Sequence, residues 1–453
     1  MLNNKYKNNL NFAYSLAENF NNSNNSICIV VSDNKEAFYI KNELNLIIDD
    51  LKIKIFPENE IIPYDHFSVP KHINKQRFKI INNQPNYKHI LITTIKNLFD
   101  PYPSIENFQS MNKYELGSRL PLEELINIIE TLNYIKKTNV ENINEYSVRG
   151  GIIDIFTPIY QHPLRIEIFD DCIESIRLFN KDTQLSIESI REFSISKGDI
   201  ISLNESTINK FIKEWRNYFN DYDERNCSIF QNVKNNQIAE GIEIYFPFFF
   251  KNIVSFFEVF DNYDYVRFKN LSSEVQDYET FITERFEDEI NEINRPLIRP
   301  KDFYLDTIKI INRLNRAKLL EAEKFTCLYD SADSLIENYD KALEDNYNYL
   351  LVTSSHSDLQ DLKNTMSSDI TVIKDINDGI KKLNITLGPI VRNMYLKNIN
   401  TFVVHRDSFD KASQLLNDKT KESRYVELNQ LFNNGDHIIH EDYGLGIYSG
   451  LEI

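Results

Sequence analysis

The sequence predicts a multidomain α/β protein, and three observations support this fold class. Its 453 residues suggest about three domains of ordinary size. Apolar runs with few polar residues alternate with amphipathic helical patterns, as is typical of parallel strands that helices cover on both faces. A different stretch, SVRGGIIDIFTPIYQHPLRIEIFDDCIESIRLF at residues 147–179, alternates apolar and polar residues between glycine and Asp-Asp breaks, which indicates short β-strands.

The first α/β region begins with a helix at residues 9–20 and the buried strand SICIVVS. The same order repeats with a helix at 34–48, the strand KIKIFP and the strand HILITTIKNLF. A second strongly amphipathic helix, at 119–136, leads into the 147–179 stretch. The apolar positions that define the first and last of these helices are Leu10, Ala13, Tyr14, Ala17 and Phe20, and Leu125, Ile128, Ile129 and Leu132.

The rest of the chain again combines helices and strands. A helix around STINKFIKEWRNYF precedes the aromatic run GIEIYFPFFF, the run IVSFFEVF and the strand YDYVRF, and we expect Trp215 of the helix to be a core residue. A further α/β unit at about 325–410 has YNYLLVTSS, DITVIK, LNITLG and NTFVVH as its buried strands. The final residues, GDHIIHEDYGLGIYSGLEI, change to a glycine-rich β pattern that holds four of the eleven glycines.

Composition limits the classes of function. A net charge of −17 opposes nonspecific DNA binding by the chain as a whole, because such binding requires cationic groups. The longest apolar runs are too short to cross a bilayer and the N-terminus shows no secretory signal, so we expect a cytoplasmic protein without membrane contact. Cys28, Cys172, Cys227 and Cys327 show no CxxC spacing, which favours buried free thiols over disulfides or a zinc site.

No nucleotide or metal site is predicted. A phosphate-binding loop places a lysine directly after a glycine, and the sequence contains no Gly-Lys pair. His437 and His440 fall in the strand-like HIIH, where alternation places them on opposite faces. The acidic EDEI at 287–290 lies in a charged helical pattern, and Tyr64-Asp65-His66 has no neighbouring nucleophile. We therefore expect no catalytic residue, cofactor or metal in this chain.

The segment PLRIEIF predicts a contact surface. Alternation places Leu164, Ile166 and Ile168 on a core face, and Arg165, Glu167 and Phe169 on the opposite face. Arginine beside an aromatic ring is the composition enriched in protein-binding hot spots, and Arg177 and Phe179 of the next strand extend it. Gly150 and Gly151 permit a positive φ or a bulge beside Arg149, which directs that side chain to the same surface. The alternative is an exposed Arg165–Glu167 cross-strand pair with Phe169 covering a helix.

Several motifs resemble bacterial transcription-repair coupling factors, also called Mfd proteins. IFPENEIIPYDHFSVPKHINKQR is similar to a Pro-Tyr-Asp segment of that family, and GIEIYFPFFF to its Gly-Ile-Glu-Tyr segment. VRGGIIDIF followed by LRIEIFDDCIESIRLF resembles the family's second domain and the related domain of UvrB. GDHIIHEDYGLGIYSGLEI resembles the start of its RNA polymerase-interacting domain. These matches occur in family order over most of the chain, whereas 320–425 matches only loosely.

The resemblance implies a fold and a domain order. It implies a UvrB-like parallel α/β domain without its phosphate loop, interrupted by an α+β interaction domain and followed by a further α/β domain and an incomplete Tudor-like β segment. The expected domains are the first half of a degenerate helicase-like α/β domain at 1–110, a UvrA-binding domain at 111–197, the second half at 198–318, a third α/β domain at 319–425, and the start of the RNA polymerase-interacting domain at 431–453.

The resemblance also implies a function and site residues. The family recognises RNA polymerase stalled at DNA damage, displaces it with a translocase that uses ATP and magnesium and contacts DNA, and recruits UvrA through the second domain. The two arginines and the phenylalanine that contact UvrA correspond here to Arg149, Arg165 and Phe169. Because the chain ends at Ile453, we expect the motor to be absent and the chain to act as an adaptor. A fragment, a split gene product and a decayed gene all fit this expectation.

Two alternatives stay open on the sequence. The chain is the N-terminal portion of an active ATP-dependent DNA translocase whose motor lies in sequence beyond it, or it is a nucleotide-binding α/β enzyme with an unfamiliar site. An in-frame continuation with a phosphate loop supports the first alternative, and saturable ATP binding by the purified chain supports the second.

Overall fold

The computed structural model forms two compact units. One comprises residues 16–41 and 48–321, and the other comprises the remaining described residues. The structure describes residues 8–82, 87–104, 112–132, 134–158, 160–195, 201, 203–292, 294–326, 329, 332–365, 370–373, 380–389, 391–406, 437–440 and 444–447.

The larger unit contains an all-parallel five-stranded sheet. Every residue of its two central strands, Ile27–Val31 and Ile90–Thr94, is buried, as expected for parallel strands covered on both faces. In spatial order the strands are Lys318–Leu319, Asp264–Arg267, Ile27–Val31, Ile90–Thr94 and Ile53–Ile55. The short strands Tyr102–Pro103 and Ile253–Val254 pair separately.

Helices and an aromatic core complete this α/β part of the larger unit. The helix Glu205–Tyr218 begins at a capping box formed by Asn204 and Thr207, and its Trp215 is buried, as predicted. The aromatic run GIEIYFPFFF becomes the 3₁₀-helix Ile242–Phe249. Other helices in or entering this unit are Phe12–Asn22, Asn34–Leu44, Lys71–Asn82, Ser228–Lys234, Phe256–Val259, Ser272–Glu289, Pro300–Phe303 and Thr307–Arg316.

A six-stranded sheet lies in the same unit. Its strands run antiparallel except for the parallel pair at one edge, and the helix Leu122–Thr131 contributes Leu125 and Ile129 to its core. The two-stranded sheet of Asn112–Glu115 and Glu192–Ile195 adds Phe193 and Ile195 to that core. In spatial order the six strands are Ser186–Ser189, Cys172–Phe179, Leu164–Phe169, Ile152–Ile155, Glu145–Arg149 and Ile135–Lys136.

The smaller unit holds a second parallel sheet with one antiparallel edge strand, Met394–Leu396. The order of its strands is Thr371–Val372, Leu383–Leu387, Asn348–Thr353, Thr401–His405 and Met394–Leu396. The helices that the structure describes in this unit are Ala332–Glu337, Tyr339–Glu344 and His356–Thr365. Further strand pairs join Asn8–Asn11 to Glu323–Thr326 and His437–His440 to Gly444–Ile447.

The structure confirms a mixed α/β protein with several parallel sheets, and it corrects some elements. Residues 8–11 are a strand, so the first helix begins at Phe12 rather than at residue 9. The helix predicted at 119–136 spans only Leu122–Thr131, because Ile135–Lys136 pairs as an edge strand. DITVIK is a short edge strand, Thr371–Val372, and is not fully buried.

Other expectations have mixed outcomes. Cys172 is exposed, whereas Cys28 and Cys227 are buried free thiols as expected, and Cys327 lies outside the described residues. HIIH forms a strand, but most of the Tudor-like segment predicted at 431–453 lies outside the described residues. Among the helices that the structure describes, none has both the length and the apolar character needed to cross a membrane.

Candidate functional site

The six-stranded sheet presents a core face and a polar face. Leu164, Ile166 and Ile168 are buried in the core beneath the helix Leu122–Thr131, as alternation predicts. The opposite residues of each strand form cross-strand rows on the other face. We call this surface the arginine face and define it by Ser147, Arg149, Asp154, Arg165, Glu167, Phe169 and Arg177.

Asp154 is the centre of the arginine face. Its side chain is only 1% exposed, and it lies directly across the ladder from Arg165. Arg165 donates through Nε and Nη2 to the two carboxylate oxygens at 2.7 and 2.9 Å, and Arg149 donates through Nη2 to Oδ2. A buried carboxylate requires such pairing, because an unpaired charge away from water is strongly unfavourable. The two arginines predicted from the sequence therefore converge on one acid that sequence reasoning did not identify.

Arg165 is held on several sides. Its side chain is 19% exposed, and its guanidinium lies 4.4 Å from the centroid of the Phe179 ring. Gln184 accepts hydrogen bonds from it through its backbone oxygen at 3.3 Å and its side-chain oxygen at 3.2 Å. The hydrogen bonds that Arg165 donates to Asp154 raise the pKa of Arg165 above its ordinary value. Arg165 thus acts as a fixed part of the sheet rather than as a loose surface cation.

Phe179 and Glu167 differ from their sequence predictions. Phe179 is fully buried because Arg165 stacks over it, so the expectation that it extends the exposed surface is wrong. Glu167 pairs with Arg177 and accepts a hydrogen bond from Ser175 at 2.8 Å, so the alternative of an Arg165–Glu167 pair is also wrong. Each arginine of the arginine face thus has a carboxylate partner within the sheet, and Arg149 and Arg165 share Asp154.

Phe169 is the large apolar side chain of the arginine face that is exposed to solvent. Its side chain is 69% exposed at the end of the strand Leu164–Phe169, so it does not cover a helix. The next two residues, Asp170 and Asp171, have φ values of 48° and 60°, which is the sign pattern of the tight two-residue turns that suit twisted hairpins. The chain therefore reverses directly after Phe169, and Cys172 faces it across the ladder.

The glycine pair fixes the neighbouring turn, as the sequence suggested. Gly150 has a φ of +62°, which glycine adopts without strain. A Cβ on Gly151 would lie 2.6 Å from the backbone oxygen of Ile168, so the chain requires glycine there. Ile168 in turn donates its amide to the Gly151 oxygen at 2.8 Å. The turn after Arg149 is thereby held against the residue that precedes Phe169.

Asp154 and Gln184 are the residues of this site that sequence reasoning missed. The signal for Asp154 was a lone acid in the otherwise apolar strand IIDI, where a charge must have a partner. Gln184 gives no comparable signal, because it reaches Arg165 from a turn in which its own φ is 61°. Arg149, Arg165 and Phe169 lie on one sheet face, as predicted.

A second polar cluster, around His66, consists of ion pairs and hydrogen bonds that connect parts of the fold. His66 Nε2 lies 3.4 Å from Glu289 and 3.7 Å from Glu292. Arg295 supplies positive charge to both acids and also donates to the backbone oxygens of Tyr64 and Asp65. An arginine thus already occupies the position where a metal cation would neutralise these carboxylates. The neighbouring Tyr64 is buried and donates its hydroxyl to the oxygen of Ile298.

The chain is similar to known proteins over part or nearly all of its length. Residues 113–198 match the UvrB interaction domain. The chain is 25% identical over 475 residues to the transcription-repair-coupling factor of Rickettsia conorii, which covers 98% of this chain and 41% of the relative. The corresponding protein of Staphylococcus aureus (strain bovine RF122 / ET3-1) is 21% identical over 481 residues, covering 96% and 41%. That of Haemophilus influenzae is 24% identical over 308 residues, covering 67% and 26%.

The chain therefore spans at most 41% of the length of these relatives. The resemblance predicted from the sequence is confirmed: the chain matches the UvrB interaction domain at 113–198 and is similar over nearly its whole length to the N-terminal part of transcription-repair-coupling factors.

Proposed function

We propose that this chain acts in transcription-coupled nucleotide excision repair by recruiting UvrA to RNA polymerase stalled at DNA damage. The names of its relatives and the match to the UvrB interaction domain support this role. The arginine face is the proposed UvrA-binding surface, with Arg149, Arg165 and Phe169 as its contact residues. The proposal places the protein in the cytoplasm.

The exposed Phe169 on a rigid hairpin is the observation that carries the proposal. An aromatic side chain in water gains most when a partner pocket covers it, and binding hot spots are enriched in such residues next to arginine. The tight turn at Asp170–Asp171 and the close approach of Gly151 already fix the hairpin, so little conformational entropy remains to be lost on binding.

The two arginines play different parts in this proposal. Arg149 is half exposed and donates through Nη2 to Asp154, so its outer side is available to an acidic group of UvrA. Arg165 is mostly covered and keeps Asp154 neutralised, so it supports the surface and offers the partner only its solvent-facing edge. Asp154 is therefore a positioning residue, since it acts through the arginines.

The motor functions that the resemblance implies are assigned in this proposal to sequence outside this chain. We infer that RNA polymerase displacement, DNA translocation and the use of ATP with magnesium require sequence outside this chain, because it contains no Gly-Lys pair. The domain boundaries predicted above, the UvrB-like arrangement and the Tudor-like start of a polymerase-interacting domain are part of this proposal. The alternative is that the chain is the N-terminal portion of an active ATP-dependent translocase.

The proposal is tested by titrating the purified chain and its Phe169→Ala variant with UvrA from the same organism. Phe169 is exposed, so its truncation leaves the core intact. We expect UvrA affinity to fall about thirtyfold, which corresponds to ~2 kcal/mol for one anchor. Phe38→Ala is the matched control, because Phe38 is also exposed but lies in the helix Asn34–Leu44. Equal affinities of all three proteins would contradict the proposed surface.

A further inference from the structure

A large cleft in the larger unit lies apart from the arginine face. It encloses about 940 Å³, and part of its floor follows the carboxyl ends of the parallel strands Ile53–Ile55 and Ile90–Thr94. Ligands of α/β sheets commonly bind outside these strand ends. The cleft is thus at the position where α/β sheets commonly bind a ligand, although the sequence has no phosphate loop.

Apolar side chains that are exposed to solvent gather at this cleft. Surface apolar residues that occur singly need no explanation, whereas a contiguous group indicates a binding surface. Among the described residues, five of the exposed large apolar side chains line the cleft: Ile62, Phe67, Ile135, Ile238 and Phe281.

The charge of the cleft is negative. Seven acidic and two basic residues line it. The acidic group includes Glu60 and Glu240 beside the apolar residues, and Glu58 and Asp100 deeper in the cleft. Phosphate-bearing ligands are repelled by such a surface.

Both basic residues already have carboxylate partners. Arg77 is buried and donates to Asp100 at 2.8 Å and to the Tyr102 hydroxyl at 2.9 Å. Lys96 donates to one oxygen of Glu58 at 3.0 Å. The other oxygen of Glu58 is buried and accepts no hydrogen bond in the described structure. Among the described residues that line the cleft, no basic side chain is therefore left without a carboxylate partner to receive an anionic ligand.

We propose that this cleft binds a basic amphipathic peptide segment of a partner protein. Its apolar side chains would cover the five exposed residues, and its lysines or arginines would face the surplus carboxylates. This mode corresponds to the docking of an amphipathic helix in a groove, in which apolar anchors give affinity and charge gives orientation. The inference goes beyond UvrA binding and does not depend on it.

The test uses fluorescence anisotropy with the full chain and a fluorescein-labelled amphipathic peptide of lysine and leucine. A peptide of glutamate and leucine with the same pattern, and a short single-stranded DNA, are the comparison probes. We expect the chain to bind the Lys/Leu peptide and neither comparison probe. The Phe67→Ser/Ile238→Ser variant removes two exposed apolar contacts without opening the core, and we expect it to bind the Lys/Leu peptide at least about tenfold more weakly.

Two controls separate the cleft from general attraction to an acidic protein. Phe38→Ser removes an exposed apolar side chain outside the cleft and is expected to leave peptide affinity unchanged, as is Phe169→Ala. Glu60→Lys is expected to weaken peptide binding without changing UvrA binding. Equal peptide affinity of wild type and Phe67→Ser/Ile238→Ser, or binding of DNA at the cleft, would overturn the proposal. A dimer that Phe67→Ser/Ile238→Ser abolishes would assign the cleft to a second copy of the chain and would also overturn it.

Discussion

The contact between Asp154 and Arg165 gives the sharpest prediction about the arginine face. Asp154→Asn keeps the size of the side chain but removes the charge that both arginines share, and it places an amide NH₂ group among guanidinium donors. Breaking a fully buried ion pair costs about 3–5 kcal/mol, and an exposed pair contributes about 0–1 kcal/mol. Because Asp154 is buried and Arg165 is 19% exposed, we expect a loss of about 2–3 kcal/mol in the free energy of unfolding.

A double-mutant cycle measures the pair itself. Arg165→Met keeps the stem that covers Phe179 but leaves Asp154 with Arg149 as its remaining charged partner, so we expect it to be at least as destabilising as Asp154→Asn. In the Asp154→Asn/Arg165→Met protein neither charge is stranded, and its loss should be smaller than the sum of the single losses by about 1.5 kcal/mol or more. Urea unfolding followed by tryptophan fluorescence and circular dichroism provides the four free energies.

Additive effects of the two substitutions would contradict the predicted coupling between Asp154 and Arg165. A coupling energy below about 0.5 kcal/mol is the value expected for independent sites. It would mean that Arg165 and Asp154 do not depend on each other, and the description of Asp154 as a positioning residue would be wrong.

Three further predictions concern the hairpins, pH and thiol reactivity. Gly151→Ala places a methyl group against the Ile168 oxygen, so we expect a loss of about 1–3 kcal/mol in stability and weaker UvrA binding, measured by urea unfolding and titration. Burial lowers the pKa of His89 below its ordinary 6.5, so the contribution of neutral His89 to thermal stability should be fully present above about pH 6.5. This contribution should decrease as the pH falls from there toward the folded-state pKa, and the His89→Gln variant should lose this pH dependence. The exposed Cys172 faces Phe169, so it should react with a bulky maleimide before the buried Cys28, whose thiol pKa burial raises, and UvrA should protect it.

Each of these predictions has a control. Gly150→Asn should cost less than Gly151→Ala, because nothing lies within 4 Å of a Cβ at Gly150 and asparagine tolerates a positive φ. A pH dependence that persists in His89→Gln would assign the transition to another group. Cys172→Ser should remain able to bind UvrA after maleimide treatment, and inhibition of that variant would place the reactive thiol elsewhere.

Local sequence patterns predicted the face on which residues of the six-stranded sheet lie, but they did not predict all the contacts between its side chains. Period-two alternation correctly separated the core residues Leu164, Ile166 and Ile168 from the exposed Phe169, because strand geometry alone determines the side on which a residue lies. It could not predict that Phe179, on the polar side, is buried under Arg165. That contact depends on strand pairing and on a turn that returns Gln184 to the sheet, and neither is encoded in the spacing of one segment.

The same limit applies to the rest of the molecule. The parallel sheets were predictable from their continuous apolar runs, which require cover on both faces. The helix at 119–136 was predicted too long, because Ile135 satisfies the helical pattern but pairs with Glu145 in a strand. The apolar residues of the cleft lie far apart in the sequence and are brought together only by the fold, so no local sequence motif predicts them.

The affinity of the folded wild-type chain for UvrA is the most direct measurement of the central claim. We expect binding in the micromolar range or tighter, weakened about thirtyfold by Phe169→Ala and unchanged by Phe38→Ala. Absence of UvrA binding by wild-type protein with a normal unfolding transition would contradict it, and the similarity to transcription-repair-coupling factors would then reflect common ancestry without this function.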